Sequence, residues 1–478
     1  MTPGNGPIIL NGIDPLTGHA LIAPLDAKAA AAAAVASKQT HPAVAAMADS
    51  VAKPALGLPF GVDPKNPKQA GWGLVFHAQE DPAVISAFDV LVKHRSDQIG
   101  VPARVKPHLV YDGEDFEDWL ANLGVGPGDV NPKKVPFYLL VVGDPVRIPF
   151  EFTQLLNMNY ALGRLHLDSA ADYQRYAQAV VDYETSPDVS NTKEAVFFGT
   201  AHIDDVATNM SCEELVTPLA DGNDEDAGVG IEANFKTTKL LAGEATKAAL
   251  LQHLTRPAPQ LPPALLFSAT HGLGWPMGDA RQDASQGALL CGDWKGLGFS
   301  PLPMTPDQYL TGSDIKNGNV RNAIAFLFAC FGLGTPKSDR FSFDPPNPPK
   351  QLAPNAFFSP LPKALLSAAN GPALAVIGHV ERAWASSIEP PGVGPEIEPF
   401  QTALRSILAG DPVGMALGGF KDRFGISSGM LSTLLAAKLN QSNVDDQKLA
   451  DTWTLQNDSG AYLLFGDPAI RLRLDKLQ

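Results

Sequence analysis

Two predicted strands of the chain end in side chains that could carry out nucleophilic chemistry. One apolar run, 264–267, leads to His271, and a second, 324–328, leads to Cys330. In a parallel sheet, ligands bind beyond the carboxyl ends of the strands. If the two strands are neighbours, the imidazole and the thiol meet at one edge of the sheet, where the base can generate or stabilise a thiolate.

The glycine that follows the histidine adds a second element of such a site. Gly272 lets a substrate carbonyl approach the backbone, and its N–H could hold an oxyanion together with the N–H of Cys330. Taken singly, a cysteine at the end of an apolar strand is most often a small core side chain, and a histidine there is often a hydrogen-bonded loop residue. The combination of His271, Gly272 and Cys330 favours thiol catalysis.

The elements that would position this pair alternate between strands and helices, which predicts an α/β fold with a mostly parallel sheet. The pattern predicts strands at 72–76, 108–111, 137–142, 195–198, 236–240, 264–267, 324–328, 373–377 and 462–465. It predicts helices at 27–36, 82–98, 115–123, 169–183, 212–219, 245–254, 362–369, 399–408 and 413–439.

Changes of composition along the chain predict its division into parts. Residues 1–68 form an arm rich in Pro, Gly and Ala, 69–160 an N-terminal α/β subdomain, and 161–478 the subdomain with the candidate pair. Two Pro-rich loops, 344–362 and 388–399, are too long for simple connections, and loops of this length inside a compact domain are usually functional.

Overall composition narrows the classes of function. The 478 residues carry a net charge of −15, which argues against nucleic acid as a partner because its binding needs a basic surface. No basic leader and no apolar run long enough to span a membrane is visible. Three cysteines cannot form a disulfide framework, so we expect a protein of a reducing compartment. The expected localisation is the cytoplasm, in a bacterium.

Several motifs along residues 70–475 resemble the caspase-like (clan CD) cysteine peptidases, and the gingipain family most closely. An apolar strand ending in His-Gly and a later one ending in Ala-Cys is typical of that class. The segments that resemble gingipains are FYLLVVGDPVRIP (137–149), LGR (162–164), SAADYQRYAQAVVDYE (169–184), GPALAVIGHVERAW (371–384) and YLLFGDPAIRL (462–472). The resemblance implies a caspase-like three-layer α/β/α sandwich with two tandem α/β subdomains.

The resemblance also implies a role for each member of the pair. Cys330 would be the nucleophile that forms a thioester acyl-enzyme, and His271 would protonate the leaving amine. Gly272 and Cys330 would supply the oxyanion hole. A carboxylate upstream of the histidine would orient the imidazole; the candidates are Asp204, Asp205, Glu213 and Glu214. Glu213 is preferred because it begins a predicted helix, although helix N-termini and loops favour carboxylates in any case.

Specificity in related enzymes comes from an acid in the primary pocket, which selects Arg or Lys before the scissile bond. Asp279, Asp283 and Glu381 lie in segments expected near the site, and Trp384 resembles an aromatic side chain that lines this pocket. A plain core tryptophan is the alternative for Trp384. The implied function is a thiol protease, a hydrolase that acts on peptide or protein substrates, with an activator or regulatory partner as a further partner.

No cofactor is predicted, and only calcium stays open. The acidic stretch 221–226 with Glu232 suggests a calcium loop, but Asp226 occupies the position where an EF-hand needs Gly, so a solvated loop is favoured. Cys212, Cys291 and Cys330 lack the paired spacing of a metal site.

Two other functions compete with a peptidase. One is a catalytically silent caspase-like scaffold that binds a peptide or a regulator. The other is a general α/β hydrolase with its serine in 425–429 (GISSG), which is disfavoured because that segment reads as helix and no histidine follows Ser427. The loop 344–362 suggests autoprocessing near Arg340 or Lys350, and the arm could occlude the site or recruit a partner.

Overall fold

The computed structural model describes residues 11–22, 26–36, 57–223, 226–257, 259–341, 349–390 and 392–478. The remaining residues of the predicted arm, part of the loop 344–362 and part of the acidic stretch 221–226 lie outside these ranges. The strands are β1 Trp72–His77, β2 Val105–Tyr111, β3 Tyr138–Val142, β4 Ala161–Leu165, β5 Thr192–Gly199, β6 Lys236–Leu241, β7 Pro263–Ala269, β8 Leu289–Leu290, β9 Tyr309–Leu310, β10 Ile324–Phe328, β11 Gly334–Thr335, β12 Phe357–Phe358, β13 Ala375–His379 and β14 Tyr462–Gly466.

The helices flank the strands along the whole chain. They are α1 Ala27–Ala36, α2 Pro67–Ala70, α3 Pro82–Ser86, α4 Asp89–Ile99, α5 Phe116–Asn122, α6 Phe150–Asn157, α7 Ala170–Thr185, α8 Val206–Met210, α9 Thr217–Asp221, α10 Val229–Glu232, α11 Lys247–Leu254, α12 Gln282–Ser285, α13 Gly312–Ile315, α14 Pro360–Ser367, α15 Glu398–Leu408, α16 Gly418–Leu439 and α17 Asp446–Gly460. A π-helical turn, Ser211–Val216, joins α8 to α9. In the part of the chain that the structure covers, no helix combines the length and the apolar character that crossing a bilayer requires.

One ten-stranded sheet runs through the molecule in the order β2-β1-β3-β4-β14-β13-β10-β7-β5-β6. Neighbouring strands are parallel except for β13 and β14, which pair antiparallel. The sheet therefore consists of two parallel halves of opposite direction that meet at this pair. The predicted α/β fold with a mostly parallel sheet is confirmed, and the two predicted subdomains share this one sheet, while their boundaries stay a prediction.

Helices cover both faces of the sheet, which makes the fold a three-layer sandwich. Successive strand residues point to opposite faces. Trp72, Leu74 and Phe76 of β1 pack into the main core with α4 and α7. Val75, between them, packs into a second core with α5 and α6.

Local sequence explains most of these elements and also the errors of prediction. The predicted helix 82–98 is two helices, α3 and α4, because the chain turns at 87–88. The predicted helix 413–439 begins later, at Gly418. The sequence analysis missed β4, α6 and α17. Gly163 and Arg164 break the apolar pattern of β4, and α17 buries polar side chains that are usually exposed.

A buried ion pair fixes α4 against the turn that follows β14. Arg95 of α4 is fully buried and donates to Asp467 at 2.6 Å and to Glu184 at 2.7 Å. Asp467 also accepts a hydrogen bond of 2.9 Å from Nε1 of Trp72. The Gly-Asp-Pro turn after β14 thus supplies the carboxylate that holds α4 and β1 against the end of the chain.

We expect Arg95→Ala to lower the free energy of unfolding by about 3–5 kcal/mol, because Asp467 would be left as an unpaired buried charge. Lys93→Ala is the matched control on the same helix, since its pair with Asp97 is exposed and should change stability by no more than about 0.5 kcal/mol. Urea unfolding measures both. Equal effects of the two variants would contradict a structural role for the Arg95 pair.

Candidate active site

The two strands that carry the candidate pair are neighbours, as the sequence analysis required. β7 and β10 pair in parallel, and their last residues, Ala269 and Phe328, lie opposite each other. His271 and Cys330 each lie two residues beyond these strand ends. Both strands are completely buried. Their apolar residues fix the register, and the register places imidazole and thiol at the same sheet edge.

Position 272 must be glycine because the backbone of Cys330 lies so close to it. A Cβ at this position would lie 1.7 Å from the carbonyl oxygen of Cys330 and 2.8 Å from its nitrogen. The glycine therefore permits the close approach of the two strand ends. Its role in an oxyanion hole stays a prediction.

The carboxylate that contacts the imidazole of His271 belongs to Asp205. Its Oδ2 lies 2.7 Å from Nε2 of His271. The preference for Glu213 is wrong, because Glu213 lies on the exposed side of the π-helical turn, and Glu214 beside it is exposed as well. Asp204, the fourth candidate, has an unusual positive φ of 58° next to Asp205.

Asp205 reaches His271 because it follows β5, the strand that pairs with β7. Its side chain caps α8 and accepts a hydrogen bond of 2.7 Å from Oγ1 of Thr208. Burial raises the pKa of the Asp205 carboxyl, but the charge of His271 and the hydrogen bonds from His271 and Thr208 outweigh burial, so the pKa lies well below its usual range. The carboxylate stays ionised and fixes the orientation of the imidazole.

We expect Asp205→Asn to lower the free energy of unfolding at neutral pH, because the buried imidazole of His271 loses the carboxylate that pairs with it. Because the pKa of Asp205 is lowered in the folded state, its contribution to stability is present above its ordinary pKa and is lost as pH falls. The difference in stability between wild type and variant should therefore shrink below about pH 4. Chemical unfolding at several pH values measures this; a difference independent of pH would contradict the assignment.

A hairpin of the N-terminal arm lies directly over the pair. The segment 11–22 turns at Asp14–His19 and returns on itself through a bridge between Ile13 and Ala20. The N–H of Gly12 donates to Nδ1 of His271 at 2.8 Å. The thiol of Cys330 donates to the carbonyl oxygen of Asn11. Both members of the pair thus contact one peptide bond, the bond between Asn11 and Gly12.

Backbone hydrogen bonds on both sides hold the hairpin in the cleft. The N–H of Asn11 donates to the carbonyl of Ala383 at 3.2 Å, and the N–H of Gly274 donates to the carbonyl of Ile13 at 3.1 Å. Ile13 is buried in an apolar cluster with Leu273 and Trp294. Backbone hydrogen bonds therefore hold the segment on both sides of Gly12, whose φ is +117°.

Under this hairpin the thiol is fully buried. Burial raises the pKa of Cys330 to about 12, and the N–H of Ala383, 3.3 Å from Sγ, opposes this only in part. The next residue, Phe331, has a positive φ of 55°, and its N–H donates to the carbonyl of Glu381, which itself has a positive φ of 100°. Such conformations cost about 1–3 kcal/mol in residues other than Gly and concentrate at functional sites.

The residues predicted for the specificity pocket lie in different places. Asp279 is ion-paired with Arg281 at 2.7 Å near the surface, and Asp283 is exposed. Glu381 is buried and ion-paired with Arg382 at 2.8 Å. Burial raises the pKa of the Glu381 carboxyl to about 7, although Arg382 acts in the opposite direction.

Trp384 is completely buried. Its ring centroid is 4.4 Å from that of Phe341, and it packs in a cluster that includes α1, α16 and α17. Its backbone N–H donates to Asp458 at 3.0 Å. Trp384 therefore lies in the helical layer next to the site, two residues along the chain from Arg382.

Sequence reasoning missed the residues around the cavity beside the hairpin. This cavity has a volume of about 520 Å³ and is lined by Asp14 and Leu21 of the hairpin and by Trp275, Asp339 and Arg382. Arg382 donates to both carboxylate oxygens of Asp339, at 2.8 and 2.9 Å. The three acids and one tryptophan of the predicted pocket do not line this cavity.

In the part of the chain that the structure describes, the acidic stretch and GISSG take part in ordinary structural contacts. Within the described ranges no three His, Cys, Asp or Glu side chains form a group able to hold a metal ion. Asp221 is paired with Lys239, and Glu232 with Arg405. Ser427 lies inside α16 and donates to the carbonyl of Arg423, so GISSG is helix, as predicted.

Comparisons with known proteins give distant structural likenesses. No family model and no curated protein matches the chain. The solved structures that it resembles include the Arg-specific cysteine proteinase gingipain R (14% identity, TM-score 0.42, 86% of this chain and 80% of that chain covered). A complex of the pro- and mature domains of Porphyromonas gingivalis RgpB matches at 15% identity (TM-score 0.42, 84% and 80% covered), and a structure described only as a protease at 11% (TM-score 0.43, 84% and 78%). Overlays of this quality establish neither a shared family nor a shared activity.

Proposed function

We propose that the chain is a cysteine endopeptidase, with Cys330 as nucleophile and His271 as the acid–base that serves the leaving amine. One observation carries the proposal: the thiol contacts the carbonyl oxygen and the imidazole contacts the nitrogen of the same peptide bond. Those are the two groups that a peptidase must address at opposite ends of a scissile bond. The ionised Asp205 behind the imidazole completes an arrangement of nucleophile, base and orienting carboxylate.

The proposed reaction needs nothing besides peptide and water. Sγ of Cys330 adds to the carbonyl carbon and passes its proton to His271, which then protonates the leaving nitrogen as the C–N bond breaks. Water hydrolyses the resulting thioester and restores the thiol. The N–H groups of Gly272 and Cys330 are proposed to stabilise the negative oxygen of the intermediate.

A preference for a basic residue before the scissile bond has less support. Arg281 and Arg382 already neutralise the carboxylates of Asp279 and Glu381, so these acids do not offer a free negative charge to a substrate. Asp283 is exposed.

A silent scaffold is the second candidate, and one observation favours it. The thiol is buried under the hairpin and its pKa is raised to about 12, so at neutral pH the nucleophile is protonated and covered. In this alternative the cleft binds a strand-like peptide or a regulatory partner without cutting it.

Cleavage of a peptide library tests the two candidates against each other. Wild-type protein in reducing buffer is incubated with peptides of varied sequence, and new termini are identified by mass spectrometry. Reproducible cuts at defined bonds support the peptidase. A separate sample of the same protein is treated with iodoacetamide to show that Cys330 is accessible. If Cys330 reacts there and the untreated protein still cuts no bond, the peptidase proposal fails and the scaffold stands.

A further inference from the structure

The hairpin presents its own backbone to the candidate pair in the way that a substrate would. Asn11 lies before the contacted bond and Gly12 after it. The thiol donates to the Asn11 carbonyl oxygen. This oxygen is bonded, at about 1.2 Å, to the carbon that a nucleophile attacks. The nitrogen on the other side of that carbon lies 2.8 Å from Nδ1 of His271. The candidate nucleophile and the candidate acid–base residue therefore contact the carbonyl oxygen and the nitrogen of one and the same peptide bond.

We propose that the bond between Asn11 and Gly12 is a substrate of the chain's own active site, and that the enzyme removes residues 1–11 from itself. The inference rests on the proposed peptidase function and adds to it both the first substrate and the side chains that the cleft accepts. Sγ of Cys330 bonds to the Asn11 carbonyl carbon, and the C–N bond to Gly12 breaks. The thiol proton, relayed by His271, ends on the Gly12 nitrogen, and water then releases the Asn11 carboxylate.

The position before the bond accepts a short, uncharged side chain. Asn11 is buried, and its Oδ1 has no hydrogen-bond partner among the described residues. Its backbone N–H pairs with the carbonyl of Ala383, which aligns the segment as an added strand. A charged side chain would have to be buried here without a partner, which is strongly unfavourable.

The position after the bond requires glycine. The φ of Gly12 is +117°, a conformation that side-chain-bearing residues rarely adopt. A Cβ on Gly12 would lie 3.0 Å from Sγ of Cys330 and 2.9 Å from Cδ1 of Leu21. The preferred substrate is thus a peptide with Asn-Gly or a similarly small pair at the cut.

Intact-mass analysis and N-terminal sequencing of the full-length chain test the proposal. We expect wild type, in reducing buffer near pH 7, to lose residues 1–11 at a rate independent of protein concentration and to begin at Gly12. Cys330→Ala and Cys330→Ser should stay uncut. Three other Asn-Gly bonds of the chain, after Asn5, Asn317 and Asn370, are internal controls and should stay intact, which separates enzymatic cleavage from spontaneous Asn-Gly chemistry.

Two variants of the residue before the bond define the specificity. Asn11→Asp keeps the size of the side chain and adds a charge, and we expect self-cleavage to slow at least 100-fold. Asn11→Lys should be equally slow; cleavage of Asn11→Lys faster than wild type would overturn the inferred preference for an uncharged residue.

The outcomes separate this inference from the peptidase proposal. Wild type that stays full length but cuts library peptides overturns self-cleavage and leaves the peptidase standing. Wild type that cuts neither itself nor any peptide overturns both. Removal of residues 1–11 from Cys330→Ala at the wild-type rate also overturns the inference, since the cut would then not depend on this thiol.

Discussion

Replacing Cys330 by alanine is expected to lower kcat/KM for peptide cleavage by about 10³-fold or more, to the level that binding and oxyanion stabilisation alone can support. The thiol is the group that contacts the carbonyl oxygen of the peptide bond between Asn11 and Gly12. The measurement is the initial rate on the best library peptide. Thermal unfolding of the same preparation shows whether the variant is folded.

Cys291→Ala is the matched control for this change. Cys291 is also completely buried, but its Sγ contacts the carbonyl of Leu289 at 3.5 Å, away from the hairpin. We expect its activity to stay within about twofold of wild type. A combined Cys330→Ala/His271→Ala variant should be no slower than Cys330→Ala alone, because the two groups act as a unit. Equal activity of Cys330→Ala and wild type would contradict the assignment.

Displacing the hairpin should increase the reactivity of the Cys330 thiol. The expected factor is comparable to the loss of activity expected for Cys330→Ala. We expect Gly12→Val to be incompatible with the seated hairpin, because the new side chain meets Leu21 and Sγ of Cys330 and φ is positive. Burial raises the pKa of the thiol to about 12 in the covered state. Once the thiol is exposed, the pKa returns towards about 8.5–9, so the thiolate fraction at pH 7 rises about 10³-fold.

The rate of alkylation of Cys330 by iodoacetamide, followed by peptide mapping, measures this effect. His19→Ala is the control, since His19 is exposed on the same hairpin and should leave the rate unchanged. Cys291 serves as an internal reference that stays unreactive, because burial raises the pKa of its thiol as well. Equal rates for Gly12→Val and wild type would show that the hairpin does not protect the thiol.

The position of the reactive pair could be predicted because it depends on local pattern. The apolar runs before His271 and Cys330 are continuous, so both strands are buried on both faces and must lie inside the sheet. Once the two strands are neighbours, their parallel pairing brings the two residues together. The same argument predicted β1, β3, β13 and β14.

The orienting carboxylate could not be chosen from helix rules alone. Glu213 was preferred because it begins a predicted helix, yet the helix starts earlier, at Val206, and Glu213 faces outwards in its π-helical turn. The signal that would have found Asp205 is the one used for the pair: it follows a buried strand, β5, whose neighbour in the sheet is β7. Strand order was not available from the sequence.

The position of the N-terminal arm in the cleft could not be predicted from the sequence, for a different reason. The contacts of Asn11, Gly12 and Ile13 with the cleft are mostly backbone hydrogen bonds, and these do not depend on side-chain type. Composition gave only a Pro/Gly/Ala-rich segment, for which occlusion and partner binding were equal alternatives.

The antiparallel pair at the centre of the sheet has a consequence for synthesis on the ribosome. β14 occupies an interior position of the sheet although it begins at Tyr462, 132 residues after Cys330. At about 5–20 residues per second, the ribosome needs roughly 7–26 s to make the chain between them. During that time the strand that joins the two halves is missing, and Arg95 has no Asp467 to pair with. The thiol is therefore translated long before β14 can complete the sheet that surrounds it.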